Sequence, residues 1–205
     1  MSDVCFQNKT IVITGAGGNF GRAGCLFFLR RGARIAALDV DANSLNETIA
    51  ELRSADEVAT TLADARIKGY TCDVTNQLSV DSVISSIVSD FDKIDMLWNN
   101  AGYQGQIKPT LEYDAADFAR VININVIGMF IVLQSVAKQM AKQKKQQTSH
   151  PYSIVNTASV AGLRGTPAMV AYSSSKAAVL AMTVSSAKVC CYYNVLLVCC
   201  HYFYS

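Results

Sequence analysis

Short apolar runs alternate with helix-length segments along the chain, and this alternation constrains the fold more than any other feature. The first run, Lys9–Thr14, is rich in β-branched residues and ends at glycines, as buried parallel strands do. Further strands are predicted at Arg34–Leu38, Ile67–Cys72, Ile94–Trp98 and Tyr152–Thr157. Helices are predicted at Phe20–Arg31, at Asn43–Arg53, through Val80–Val88, at Ala115–Lys142 and at Ala168–Lys188. This alternation predicts an α/β fold, a single-domain, Rossmann-like, doubly wound parallel sheet with helices on both faces.

Size and charge narrow the possible partners. A chain of 205 residues, 51% of them apolar, is long enough for one sizeable hydrophobic core and too short for two independent domains. Its formal net charge of +2 provides no basic footprint for nucleic acid, so a small-molecule partner is expected. The N-terminus shows no charged segment followed by an apolar one. This favours a cytoplasmic location and free thiols for the seven cysteines.

The turn after the first strand is rich in glycine and leads into a helix. It reads Thr14-Gly-Ala-Gly-Gly-Asn-Phe-Gly21. Residues without a Cβ let backbone N–H groups approach a pyrophosphate, and the N-terminus of the helix adds partial positive charge. A dinucleotide site is therefore predicted, and a tight turn that binds nothing is the alternative.

Asp39 follows the second strand, at the distance from the glycines that suits a ribose contact. A carboxylate there can accept hydrogen bonds from both hydroxyls of an adenosine ribose, and it would repel a 2′-phosphate. No arginine stands in the glycine turn, and Val-Asp-Ala-Asn follows Asp39. The expected cofactor is NAD rather than NADP, and an ordinary acid at a strand end is the alternative.

Tyr172 and Lys176 are four residues apart and so share one helix face. An ammonium close to a phenol favours the phenolate, which would let Tyr172 accept or return a substrate proton. Ser159 follows the fifth strand and could bind the same substrate oxygen, although a helix-capping serine is an alternative. His150 and His201 are the only histidines, and no serine lies in a nucleophile-elbow sequence. Hydride transfer therefore fits better than a hydrolytic triad.

Seven motifs stand in an order that resembles the short-chain dehydrogenase/reductase superfamily. They are Thr14–Gly21, Asp39, Cys72–Thr75, Asn99–Gly102, Ile124–Gly128, Ser159 and Tyr172–Lys176. Within this superfamily the chain is most similar to NAD-dependent polyol dehydrogenases of the xylitol type. The resemblance implies an enzyme that interconverts a secondary alcohol, a polyol or sugar alcohol, with a ketone by hydride exchange with NAD.

The resemblance also implies a catalytic set of Asn125, Ser159, Tyr172 and Lys176. Tyr172 would be the acid and base, and Ser159 would hold the reacting oxygen. Lys176 would favour the phenolate and bind the nicotinamide ribose, while Asn125 would position a relay water to Lys176. The implied cofactor-binding residues are Gly15, Gly17, Asn19, Phe20, Gly21, Asp39, Asp73, Val74, Asn100, Tyr172 and Lys176.

Two of these cofactor residues, Asp73 and Val74, would hold the adenine. A third, Asn19, stands where the family usually has a glycine. Asparagine tolerates left-handed backbone better than most residues, so the turn stays chemically reasonable. No metal site is implied.

The chain departs from the family after about residue 188. Residues 1–188 are predicted to form the NAD-binding catalytic domain, and residues 189–205 an apolar tail rich in cysteine and tyrosine. Val195–Val198 imitates the family's next strand, but no proline follows Pro167 to form the Pro-Gly turn over nicotinamide. A C-terminally truncated member with one pocket wall missing is therefore expected. A membrane anchor or a metal site of cysteines with His201 is disfavoured, because polar residues interrupt the apolar run and the cysteines lack Cys-x-x-Cys spacing.

Two other functions stay open beside the dehydrogenase. One is a truncated product that binds dinucleotide or associates without turnover, because an open cleft admits water and holds nicotinamide less firmly. The other is a reductase of oxoacyl chains, which Asp39 disfavours because many such enzymes prefer NADP. The helices around Asn125 and Tyr172 resemble the family's subunit interface, so a homo-oligomer is expected. The candidates for lining the substrate pocket are Gln104, Gln106 and Arg164.

Overall fold

Six parallel strands form one sheet in the computed structural model, which describes residues 5–54, 66–143 and 151–200. The strands are β1 (Thr10–Thr14), β2 (Arg34–Asp39), β3 (Ile67–Thr71), β4 (Met96–Asn99), β5 (Tyr152–Thr157) and β6 (Val195–Cys200). Their order across the sheet is β3-β2-β1-β4-β5-β6, so the direction of winding reverses between β1 and β4. The predicted Rossmann-like α/β fold is confirmed.

The helices lie close to their predicted positions. They are α1 (Asn19–Arg30), α2 (Ala42–Ser54), α3 (Gln77–Phe91), α4 (Ala115–Ile122), α5 (Met129–Gln143), α6 (Ala161–Arg164) and α7 (Val170–Cys190), with a π-helical turn, Asn123–Gly128, joining α4 to α5. Polar side chains fix two of the starting points. Asn76 accepts backbone N–H groups at the start of α3, and Asp114 accepts one at the start of α4. Such caps satisfy N–H groups that have no partner within the helix.

Consecutive residues of β1 enter two different cores. Val12 packs with Leu97 and Ile154 on one face of the sheet, whereas Ile11 and Ile13 pack on the other. Because helices cover both faces, β1 and β2 are apolar and buried at successive positions and not only at alternate ones. This is the physical reason that continuous apolar runs identified these two strands in the sequence.

One continuous helix of 29 residues, Ala115–Gln143, is long and apolar enough to cross a membrane, since a stretch of 18 residues within it has a mean hydropathy of 1.7. A single such helix is weak evidence for a membrane span, because a core helix that packs on a doubly wound sheet is equally long and apolar. Val132 and Val136 are fully buried in the core beside the sheet. Ile127 and Phe130 are exposed by 48% and 44%, so this helix also presents apolar side chains outward.

The segment that follows residue 188 continues the sheet. Helix α7 ends at Cys190, and β6 then pairs in parallel with β5 over six residues, which is longer than the predicted Val195–Val198. Val195 and Leu197 are buried in the same core as Val12 and Ile154, whereas Leu196 between them is exposed. The described part of the predicted tail therefore supplies the sixth strand. His201 lies outside the described residues, as does His150.

Candidate active site

A cavity of about 1030 Å³ opens at the carboxyl ends of the strands, beside the point where the winding reverses. Ligand crevices of doubly wound sheets lie at this point. The expected cofactor residues all line it: Gly15, Gly17, Asn19, Phe20, Gly21, Asp39, Asp73, Val74, Asn100, Tyr172 and Lys176. Ser159 and Asn125 are 2% and 0% exposed and are not among the described residues that line the cavity.

The glycine turn approaches Asp39 so closely that it leaves no room for a side chain. A Cβ at Gly17 would lie 3.0 Å from Asp39 Oδ2 and 2.9 Å from Ser44 Cβ. The Gly17 N–H group donates to Asp39 Oδ2 at 2.8 Å, so the end of β2 holds the turn in place. Helix α1 begins after Gly18, which has no side chain to accept the first N–H groups of the helix. The N-terminus of α1 therefore brings backbone donors to the cavity wall, which suits an anion.

Asn19 is the first residue of α1, and its backbone is not left-handed. The expectation that this asparagine is accepted for its tolerance of left-handed backbone is therefore wrong. The position takes asparagine because it already belongs to the helix, where any residue with ordinary backbone angles fits.

Asp39 also organises the turn that follows its own strand. Its second oxygen, Oδ1, accepts the Asp41 N–H group at 3.1 Å. Each carboxylate oxygen has further lone pairs, so both can still accept hydrogen bonds from a ligand in the cavity. Arg120 and Lys176 are the only cations among the described residues that line the cavity, and neither belongs to β2 or the turn after it.

Buried polar side chains tie the ends of three strands together beside the cavity. Asn99 Nδ2 donates to Asn156 Oδ1 at 3.2 Å and to the Met129 carbonyl at 2.8 Å. Thr14 Oγ1 donates to Asn99 Oδ1 at 3.4 Å and accepts the Asn100 N–H group at 2.9 Å. Hydrogen-bonded networks of this kind in a low-dielectric interior fix one arrangement of the backbone. Thr14 and Asn156 were not identified as site residues from the sequence, because nothing local marks a threonine or asparagine as part of such a network.

Lys176 is the buried cation of the site. Its Nζ donates to the Thr157 carbonyl at 2.6 Å and lies 5.6 Å from the centre of the Tyr172 ring. Burial lowers the pKa of Lys176 to about 8, and the nearby Cys200 opposes this shift. The predicted pairing of Tyr172 with Lys176 on one helix face is thus present in the structure. The Thr157 carbonyl that orients the lysine is a backbone atom, which residue types cannot reveal.

The side chains of Ser159 and Asn125 are hydrogen-bonded to other groups of the protein. Ser159 Oγ accepts the Ala161 N–H group at 3.1 Å at the start of α6. Asn125 accepts the Tyr103 N–H group at 2.7 Å, and its Nδ2 donates to the Tyr103 carbonyl at 2.8 Å and to Ser175 Oγ at 3.0 Å. Asn125 therefore holds the backbone of the segment that follows β4.

Of the three residues predicted to line the substrate pocket, one lines the cavity. Gln104 lines the cavity, whereas Gln106 and Arg164 are not among its described lining residues. Tyr103 and Arg120 do line it and were not recognised in the sequence. The described residues contain no group of three or more histidine, cysteine, aspartate or glutamate side chains that could hold a metal ion.

Comparison with protein families matches the model described as short chain dehydrogenase to residues 9–203. The match continues beyond residue 188, where the resemblance read from the motifs stopped. Among curated proteins, levodione reductase of Leifsonia aquatica is 32% identical over 182 residues, which cover 89% of this chain and 64% of that protein. The 3-oxoacyl-[acyl-carrier-protein] reductase of Thermotoga maritima is also 32% identical, with 68% of its length covered. The chain thus spans about two thirds of the length of these relatives.

Among solved structures, NAD⁺-bound xylitol dehydrogenase is similar over 95% of this chain and 70% of its own, with 40% identity and a TM-score of 0.86. The fold described above therefore recurs in another protein of known structure.

Proposed function

Because the chain belongs to the short-chain dehydrogenase family, we propose that it is an NAD-dependent oxidoreductase that interconverts a secondary alcohol and a ketone. The observation that carries the proposal is the convergence of Tyr172, Lys176, Asp39 and the glycine turn on one cavity. A polyol or sugar alcohol is the proposed substrate. The likeness to a xylitol dehydrogenase supports it, whereas the levodione and oxoacyl reductases show that relatives differ in substrate.

The residues present fit a dinucleotide. The N-terminus of α1 would bind the pyrophosphate, since the uncapped start of a helix attracts anions and Gly17 permits close approach. Asp39 would accept the adenosine ribose hydroxyls, Asp73 and Val74 would hold the adenine, and Lys176 would bind the nicotinamide ribose. When bound, the nicotinamide ring supplies the acceptor or donor of hydride. We propose NAD rather than NADP because the Asp39 carboxylate would repel a 2′-phosphate.

Tyr172 is the proposed acid and base, taking the proton of the alcohol at its phenolic oxygen and returning it in the reverse direction. The Lys176 ammonium would favour the phenolate, and Ser159 would hold the reacting oxygen. Asn125 is the proposed holder of a relay water to Lys176. A Cβ at Gly102 would lie 3.3 Å from Asn125 Oδ1 and 3.7 Å from Lys176 Nζ, so both groups border the same small space. Glycine at this position supports the relay because it keeps that space open.

The proposal is tested by absorbance at the nicotinamide band with purified chain, NAD and a panel of polyols. Tyr172→Phe should abolish turnover, by a factor of about 10²–10⁴, because it removes the group that transfers the proton. Calorimetry should show that this variant still binds NAD. Turnover that survives in the variant would contradict the assigned role of Tyr172.

A second function, dinucleotide binding without turnover, is favoured by one observation. Ser159 is 2% exposed and is not among the described residues that line the cavity, although its proposed role requires contact with the substrate oxygen. In that case NAD would bind in calorimetry, while no polyol or ketone would be turned over with either NAD or NADP. This outcome would replace the proposed enzyme with a binding protein.

A further inference from the structure

Asp117 is a buried carboxylate that the proposed reaction does not use. It lies in the first turn of α4 and is only 9% exposed. Its Oδ1 accepts the Tyr103 hydroxyl at 3.0 Å, and its Oδ2 accepts the Tyr113 hydroxyl at 2.7 Å and the Gln106 N–H group at 2.9 Å. A buried charge is retained at such a cost only where several donors compensate it.

The three donors come from a single connection, residues 103–113, which leads from β4 towards α4. They are spread along it, at residues 103, 106 and 113. The Asp117 side chain is therefore hydrogen-bonded to both ends of the connection and to a residue between them. Gly105 has a φ of +76°, and a Cβ there would come within 2.9 Å of Asp117 Oδ2. The connection is therefore closed tightly around the carboxylate, and only glycine fits at its closest approach.

The three hydrogen-bond donors around Asp117 stabilise its ionised form. The Gln106 N–H group, followed by the tyrosine hydroxyls, holds the pKa of Asp117 below its usual range, with a further contribution from Arg120. The carboxylate therefore stays ionised at neutral pH and accepts hydrogen bonds through both oxygens.

The same connection forms part of the cavity wall near the reactive groups. Tyr103 and Gln104 line the cavity directly after Gly102, which borders Lys176. Asn125 fixes the backbone of Tyr103, while Asp117 fixes its hydroxyl. Tyr103 is therefore held at both ends, and its ring lies 4.6 Å below the Arg120 guanidinium, which also lines the cavity.

We propose that Asp117 is a positioning residue that orders the 103–113 connection and thereby shapes the substrate end of the cavity for a polyhydroxylated alcohol. This inference rests on the proposed function for its substrate, but not for the ordering itself. The Gln104 amide at this end can both donate to and accept from substrate hydroxyls, and Tyr103, which Asp117 holds by its hydroxyl, lines the cavity beside it. The adenine end of the cavity, at Asp73 and Val74, lies on a different connection and is not ordered by Asp117.

Asp117→Asn tests the proposal, because an amide of equal size presents an N–H group where three donors already converge. We expect the KM for the polyol to rise about tenfold or more, the kcat to change less than about threefold, and the Kd for NAD to stay within about twofold of the original. Asp114→Asn is the matched control, because Asp114 is an exposed cap of the same helix and asparagine caps equally well. A fall in kcat with unchanged KM would overturn the proposal, because it would indicate only a smaller folded fraction.

Hydrogen exchange provides a readout that does not depend on turnover. In Asp117→Asn the amide of Gln106 should exchange at least about tenfold faster, while amides of β1 and β4 should be unchanged. Tyr113→Phe should produce a smaller increase in the same connection, since it removes one donor and keeps the ring that packs against Phe118. Unchanged exchange in both variants would overturn the proposal. If the unaltered chain turns over no polyol but the exchange changes appear, the ordering role stands and the proposed reaction alone fails.

Discussion

Lys176 keeps an ammonium group where water reaches it poorly. The residue is 2% exposed, and burial lowers its pKa from 10.5 to about 8. At pH 7 the lysine is charged in both the folded and the unfolded chain, so the folded state bears the cost of burying the charge. Between pH 8 and pH 10.5 the unfolded chain keeps a proton that the folded chain has released. The free energy of unfolding therefore rises with pH in this window.

Lys176→Met should consequently stabilise the cofactor-free chain at pH 7 while abolishing turnover. The pKa shift corresponds to about 3 kcal/mol, which is offset by about 1–2 kcal/mol for leaving the Thr157 carbonyl without its donor. Urea unfolding at pH 7 and pH 10 measures the difference, and the advantage of the variant should shrink or reverse at the higher pH. Lys188→Met, on the exposed surface of the same helix, should show neither effect. An unchanged pH dependence in Lys176→Met would contradict this account of the site.

Single residues were predictable where spacing along one element decides their geometry. Tyr172 and Lys176 share a helix face because they are four residues apart, and both line the cavity as expected. Asp117 was not identified, because its partners Tyr103 and Tyr113 are brought to it by an irregular connection whose one regular element is the short 3-10 helix Thr110–Glu112. No periodic pattern in the sequence describes such a closure.

The π-helical turn Asn123–Gly128 is the main feature of the long helix that its sequence did not predict. Each hydrogen bond of a π-helical turn spans one residue more than in an α-helix, which shifts the side chains that follow. An apolar pattern that is nearly continuous, as it is here, does not reveal this shift. The turn includes Asn125, whose side chain holds Tyr103, and ends at Gly128, which packs against Val74. Such turns are frequent at functional sites.

Gly128→Ala should destabilise the chain although alanine favours helices. A Cβ at Gly128 would lie 2.9 Å from Val74 Cγ2 and 3.4 Å from the Val74 carbonyl carbon. The helix would therefore have to move away from Val74, which lies in the turn after β3. We expect a loss of about 1–3 kcal/mol from overpacking, against a gain of about 1 kcal/mol in helix propensity.

A double-mutant cycle with Val74→Ala isolates this contact in urea unfolding experiments. Val74→Ala removes the methyl group that a Cβ at Gly128 would meet, so Gly128→Ala should cost less in that background. Equal costs in both backgrounds would show that the helix, and not its contact with Val74, requires glycine at this position.

At the scale of the whole molecule, the alternation of strands and helices was sufficient to predict the sheet and the edge at which the cavity opens. Right-handed crossovers between parallel strands leave few topologies for such a pattern. The part that was least predictable is the C-terminal segment with β6: Val195–Val198 was interpreted as an imitation of the family's next strand, within a divergent tail that included Cys199 and Cys200. Its pairing with β5 depends on a register formed across the sheet, and composition does not encode that register.

The apolar side chains that the long helix exposes predict self-association. Ile127 and Phe130 point outward on this helix, and Val184 does so on α7, which packs beside it. Burial of one phenylalanine against a second copy stabilises an interface by about 2 kcal/mol, and a two-fold axis would count each contact twice. We therefore expect a homo-oligomer that Phe130→Glu dissociates, measured as molar mass by light scattering after size-exclusion chromatography.

Phe27→Glu is the matched control, because Phe27 is equally exposed, at 46% against 44% for Phe130, but lies on α1. It should leave the mass of the oligomer unchanged. Dissociation by both substitutions would indicate a general loss of stability rather than an interface on the long helix. A mass that stays at one chain for the unaltered protein at every concentration would contradict the oligomer itself, and the exposed phenylalanine would then be an ordinary surface residue.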